Sequence, residues 1–114
     1  MFIDANHNHP WPSLDLMASL DSLSVGAIVV LHDINLPLIH PQFPAWGVKH
    51  LFDDLDVARE TSQDDRELPN TGSITVPENK HLLRERLLEI VFAHEWQGYI
   101  GDDYLKRLGV EGRG

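Results

Sequence analysis

Between Ala27 and Leu31 the chain reads Ala-Ile-Val-Val-Leu, its longest apolar run, and then turns polar at once with His32-Asp33. A continuous β-branched run of this kind reads as a strand buried on both faces, the mark of a parallel sheet. Upstream, the stub Phe2-Ile3 also stops at an acid, Asp4. Between the two, Ser13 is a suitable N-cap for a helix with Leu16, Leu20 and Leu23 at i, i+4 and i+7, ended by Ser24-Val25-Gly26. The segment Phe2 to Asp33 is thus strand–helix–strand, and its length of ~30 residues suits a right-handed βαβ crossover.

The rest of the pattern continues the alternation. A proline-rich loop (Pro37, Pro41, Pro44) precedes an amphipathic helix with Val48, Leu51, Phe52 and Leu55 on one side. Residues 62–70 are polar and acidic and read as an exposed loop. Ser73-Ile74-Thr75-Val76 reads as a short strand before Pro77, and Lys80 to Ala93 as the strongest helix, with Leu83, Leu87, Ile90 and Val91 along one face. Asp102 caps a last helix through Leu108, and residues 112–114 read as a frayed end. With 114 residues, 42% of them apolar, the chain has material for one small domain around one core.

Charge narrows the partners. Nine Lys plus Arg stand against eighteen Asp plus Glu, a net charge of −9. A phosphate backbone or an anionic membrane surface needs a basic face, so neither nucleic acid nor membrane is expected as a partner. The chain has no cysteine, which removes disulfides, thiolate metal sites and thiol nucleophiles. The N-terminal residues carry no basic and apolar signal pattern, and no apolar run is long enough for a bilayer. A cytoplasmic setting is the expectation.

Chemistry is expected where the two acid-tipped strands meet. Ligands of open α/β sheets bind beyond the carboxyl ends of the strands. Neighbouring strands lie about 4.8 Å apart, and two carboxylates that close repel unless a cation or a shared proton intervenes. A hard ion such as Mg²⁺ would take oxygen ligands from Asp4 and Asp33, with Asn35 adding a carbonyl oxygen. His7 and His32 would lie nearby as a base or as softer ligands. The alternative is that each acid merely caps the turn that follows its strand. Trp11, between two prolines, reads as a packing plug, and Trp46 and Trp96 as covers of core edges. His50, His81 and His94 lie on helices, where structural roles predominate. His81 and His94 are too far apart in helical register to form a two-histidine motif.

Phe2-Ile3-Asp4-Ala5-Asn6-His7, followed by a helix and then Gly26-Ala27-Ile28-Val29-Val30-Leu31-His32-Asp33-Ile34, resembles the fourth and fifth strands of class I S-adenosylmethionine-dependent methyltransferases. It is most similar to the small-molecule O-methyltransferase group, with its paired "IDxxH" and "HD" motifs. Gly47-Val48-Lys49-His50-Leu51-Phe52 and Leu68-Pro69-Asn70-Thr71-Gly72-Ser73-Ile74 resemble that group too.

The resemblance implies an α/β fold: the C-terminal half of a Rossmann-like methyltransferase, three-layered, with a small, mainly parallel sheet. It implies Mg²⁺ ligation by Asp4 and Asp33, while His32 falls where some relatives have Glu; with Asn35, read from its position alone, these make the candidate metal set Asp4, Asp33, His32 and Asn35. It also implies His7 as the base that deprotonates a small-molecule acceptor hydroxyl. S-adenosylmethionine is the implied cofactor, with Asp4 on the cofactor side. The glycines make no GxGxG cluster. Residues 1–114 are therefore expected to form one partial domain lacking the N-terminal cofactor-binding half, incomplete or inactive alone. Its exposed sheet edge would favour a homodimer or larger assembly. The alternative is a non-enzymatic metal-binding or oligomerisation module built on the half-fold. A hydrolase using Asp4, His7 and Asp33 on a metal-activated water comes last.

Overall fold

The computed structural model describes residues 2–3 (backbone), 7–57, 59–61 and 69–109. Strand β1 (Phe2–Ile3) leads through a loop to helix α1 (Trp11–Ser19), which tightens into a 3-10 turn at Leu20–Ser22. Strand β2 (Ile28–His32), the short helix α2 (Leu36–Ile39) and helix α3 (Gly47–Asp54) follow. Strands β3 (Arg59–Thr61) and β4 (Thr71–Thr75), then helices α4 (Lys80–Ala93) and α5 (Asp102–Arg107), complete the chain.

The four strands form one sheet in the order β1-β2-β4-β3. The expected parallel pair is present: β1 runs beside β2 in the same direction, with Phe2 opposite Val30 and Ile3 opposite Leu31. The expectation of a mainly parallel sheet is overturned, because β4 runs antiparallel to both β2 and β3. For β3 and β4 the cause is connection length. Only residues 62–70 separate β3 from β4, too few for the crossover of a dozen or more residues that parallel pairing requires.

The three-layer expectation also fails among the described residues. Val29, Leu31 and Ile74 are fully buried on one sheet face, against the helices, while Ile28 on the other face is 50% exposed. Helices α1, α3 and α4 pack on one another in a single layer. The architecture is two-layered, and β2 is a strand with one covered face rather than two.

The core lies between the layers. Leu14 and Leu16 of α1, Leu51 of α3, and Leu83, Leu87 and Val91 of α4 are all at or near zero exposure. Each such leucine contributes roughly 2–3 kcal/mol of burial free energy. Gly72 of β4 lies under the Phe52 ring, where an added Cβ would come within 2.6 Å of it. Two cations close the helix ends. Lys80 Nζ donates to the Leu20 and Leu23 carbonyls at 3.0 and 2.8 Å where α1 and its 3-10 turn finish, joining the Leu23 amide on the Leu20 oxygen. Arg59 donates to the Phe52 and Asp53 carbonyls at the end of α3 and lies over the Phe52 ring.

Ser13 does not cap α1. The helix starts two residues earlier, with Pro12 in its first turn, and Ser13 is buried inside it. Among the described residues no helix is long and apolar enough to cross a membrane.

Candidate functional site

The pairing of β2 with β4 decides what surrounds Asp33. His32 is the last residue of β2 and lies opposite Thr71, the first of β4. The chain therefore brings Asn70 against Asp33 as both strands leave the sheet. The Asp33 and Ile34 amides both donate to the Asn70 carbonyl, at 2.7 and 3.2 Å. The Asn70 side chain returns the contact, its Nδ2 donating to Asp33 Oδ1 at 2.8 Å. Asp33 itself sits at φ 66°, in the left-handed region, which costs a non-glycine residue free energy and is best tolerated by Asp and Asn. The turn aims its carboxylate back toward the loop after β1.

His7 meets it there. His7 Nε2 stands 2.9 Å from Asp33 Oδ2, and His32 Nδ1 stands 3.2 Å from the same oxygen. The Asp33 side chain is 17% exposed and that of His7 23%, so the pair is half-sheltered and still reachable from solvent. His32 is more open, at 44%. Three of the residues singled out in the sequence thus converge: His7, His32 and Asp33. Asp4 lies outside the described residues.

Asn35 is placed differently from the expectation for a ligand. Its amide donates to Asn70 Oδ1 at 3.1 Å and its side-chain Nδ2 to the Pro69 carbonyl at 2.6 Å. Its remaining oxygen accepts from Lys49 Nζ at 3.1 Å, and Lys49 also pairs with Asp53 at 2.8 Å. Asn35 pins the 69–70 segment, and a lysine ammonium stands where a divalent ion would need a free oxygen. Sequence reasoning missed Asn70 and Lys49. Both lie in segments that carry the family resemblance, but only the β2–β4 register and the packing of α3 show what they touch.

A second cluster lies behind the loop that carries His7. His50 and Asp54 are one turn apart on α3, and His94 is the residue that ends α4. The His50 and His94 rings stack with centroids 3.5 Å apart and planes 5° apart. His94 Nε2 is 2.5 Å from Asp54 Oδ2. Trp46 stacks on the outer side of His50 at 5.6 Å. His9 is wholly buried and meets both rings edge-on, at 5.2 and 5.4 Å, with its Nε2 3.2 Å from the Val91 carbonyl. Burial is the main reason its pKa is lowered to about 4, with the neighbouring His50 and His94 adding to the effect. The His50 pKa is lowered as well, first by burial and then by His94. Gln97 ties the region together: its Oε1 accepts from the His9 and Trp46 amides, and its Nε2 donates to the Pro44 carbonyl. The outer side of the cluster opens into a cleft of about 540 Å³ lined by Trp46, His50, His94, Glu95, Trp96 and Gln97.

Trp46 and Trp96 both line the cleft, Trp96 also packs against the core edge as expected, and Trp11 packs against the core with its ring 5.4 Å from Tyr104, as a plug should. Comparison of the chain with protein-family models, with curated proteins and with solved structures finds no match.

Proposed function

We propose that the chain carries the acceptor-activating chemistry of a small-molecule O-methyltransferase, with His7 as general base and Asp33 as the group that orients it. The observation that carries the reading is the 2.9 Å pairing of His7 with Asp33 beyond the carboxyl end of a parallel strand pair. An imidazole this close to a carboxylate is suited to take a proton from an acceptor hydroxyl, and the carboxylate supplies the counter-charge for the imidazolium that results. Asn70 keeps that carboxylate in place, and the strained turn at Asp33 leaves it few other orientations.

The environment of Asp33 supports a base-orienting role over a Mg²⁺ ligand role. One of its oxygens accepts from Asn70 and the other faces two imidazoles, while Lys49 occupies the oxygen of Asn35. Mg²⁺ gives up its waters reluctantly and only where several hard oxygens converge, and the described residues of this rim offer few.

The methyl donor expected from the resemblance is S-adenosylmethionine. The described residues hold no glycine-rich strand-to-helix turn to receive it. Its share of the crevice has to come from residues outside those described or from another chain.

Calorimetric titration with S-adenosylmethionine, in the presence and absence of Mg²⁺, tests the reading. Cofactor heat with micromolar affinity supports methyl transfer by this chain itself, and metal heat without cofactor heat favours the non-enzymatic module. No heat from the cofactor under either condition overturns methyl transfer by this chain.

A further inference from the structure

The second histidine cluster lies apart from the His7–Asp33 pair and takes no part in the chemistry proposed for it. We propose that His50, Asp54 and His94 form a binding site for a divalent transition metal ion of the zinc, cobalt or nickel kind, open to the cleft on one side.

Three observations carry this. The first is the donor set. One ligand atom from each of the three residues lies within 4.8 Å of the other two. Two imidazoles and one carboxylate suit borderline ions, and three protein ligands with an open fourth position are the pattern of reactive rather than closed structural zinc sites. The second is the scaffold. His50 and Asp54 sit at i and i+4 on α3, so they share one face, and His94 is delivered by the end of α4, which packs on α3. The ligands therefore come from two helices rather than from a mobile loop. The third is access and surroundings. The cleft of about 540 Å³ reaches both histidines, and Glu95 on its wall offers a further carboxylate near the open position.

The metal-free arrangement also shows what binding has to change. Bond lengths of about 2.0–2.1 Å at a tetrahedral ion put donor atoms roughly 3.3 Å apart. The 2.5 Å contact between His94 and Asp54 must open by somewhat less than 1 Å to reach that roughly tetrahedral spacing. The two rings are stacked nearly parallel, so their in-plane lone pairs lie in two separate parallel planes and do not converge on one point. One ring must tilt for both to meet one ion. Both are side-chain motions, and they exchange the stack for coordination without moving either helix. Trp46, stacked on His50, reports the change.

The test is titration of the full chain with ZnCl₂ by calorimetry, and with CoCl₂ by visible absorption. One zinc ion per chain at micromolar affinity is expected, with cobalt bands of four-coordinate intensity. His50→Ala, Asp54→Asn and His94→Ala should each weaken zinc binding by more than about tenfold. His81→Ala, on an exposed histidine of α4, should leave it unchanged. Because a cluster variant can lose its fold, the unaltered chain supplies an independent reading: zinc should move the ring resonances of His50 and His94 and leave those of His81 and His40 in place. Absence of zinc binding, or zinc shifts confined to histidines outside the cluster, overturns the proposal. Equal affinity in folded cluster variants does the same. None of these outcomes bears on His7, so the methyltransferase reading stands or falls separately.

Discussion

Gly47 donates its amide to the His7 carbonyl at 2.7 Å, so the first residue of α3 holds the loop that carries the candidate base. There is no room for a side chain at that point. An added Cβ would stand 2.5 Å from the His7 oxygen, 2.6 Å from the Pro12 ring and 2.8 Å from Asn8. Gly47→Ala is expected to destabilise the chain by about 1–3 kcal/mol, the usual cost of overpacking, and to push the His7 loop off α3. Thermal unfolding checks the first effect, and the amide and ring resonances of His7 check the second.

Asn70 is the other anchor. Replacing it with Ala removes the hydrogen bond to Asp33 Oδ1 and the acceptor for the Asn35 amide. A lost hydrogen bond to a charged group costs about 1.5–3 kcal/mol. Asn70→Ala should therefore lower Tm by roughly 5 °C or more in a domain of this size. If Asp33 orients His7, the variant also loses definition of the His7 ring, which a merely structural asparagine would leave unchanged.

His9 makes stability depend on acid. Its pKa is lowered from 6.5 to about 4 in the folded chain, so the unfolded chain binds the proton more readily between those values. Stability is therefore full above about pH 6.5, falls as the pH drops toward 4, and levels off below, for this group alone. The loss amounts to about 3 kcal/mol, and His50, shifted in the same direction, adds to it. Asp54, facing both, works weakly against the shift. Urea midpoints measured from pH 7 to pH 4 with a chelator present should show this decline. A His9→Asn variant should show a shallower one.

Helical order was more legible than sheet order, and the reason is visible in particular residues. Helix α4 runs from Lys80 to Ala93 as its leucine spacing implies, and its start is marked by Asn79, whose side chain accepts from the Leu82 amide at 2.9 Å. Helix α3 likewise follows from Val48, Leu51 and Phe52. Strand β3 escaped because Arg59-Glu60-Thr61 is polar and exposed throughout, with no alternation to find. Missing it concealed that β4 lies reversed between two strands, and so the sheet was expected to be mainly parallel. The meeting of His7 with Asp33 was readable, since both follow strands that pair in the same direction. The role of Asn70 was not, because it depends on the register of β4. The cluster of His50, Asp54 and His94 left only an i, i+4 trace in α3. Its third member is forty residues from Asp54 and arrives through packing.

The proton-accepting role of His7 is the centre of this account, and the rate of methyl transfer is its most direct test. With S-adenosylmethionine labelled in the methyl group, a panel of small hydroxyl-bearing acceptors and the donor-binding half that the resemblance implies supplied alongside, the unaltered chain should transfer label. His7→Gln, which keeps the side chain polar but takes no proton, should slow transfer about a hundredfold or more while leaving Tm close to that of the parent. Label transfer that His7→Gln leaves at the parent rate, or no transfer to any acceptor by the unaltered chain supplied with that donor-binding half, would contradict it.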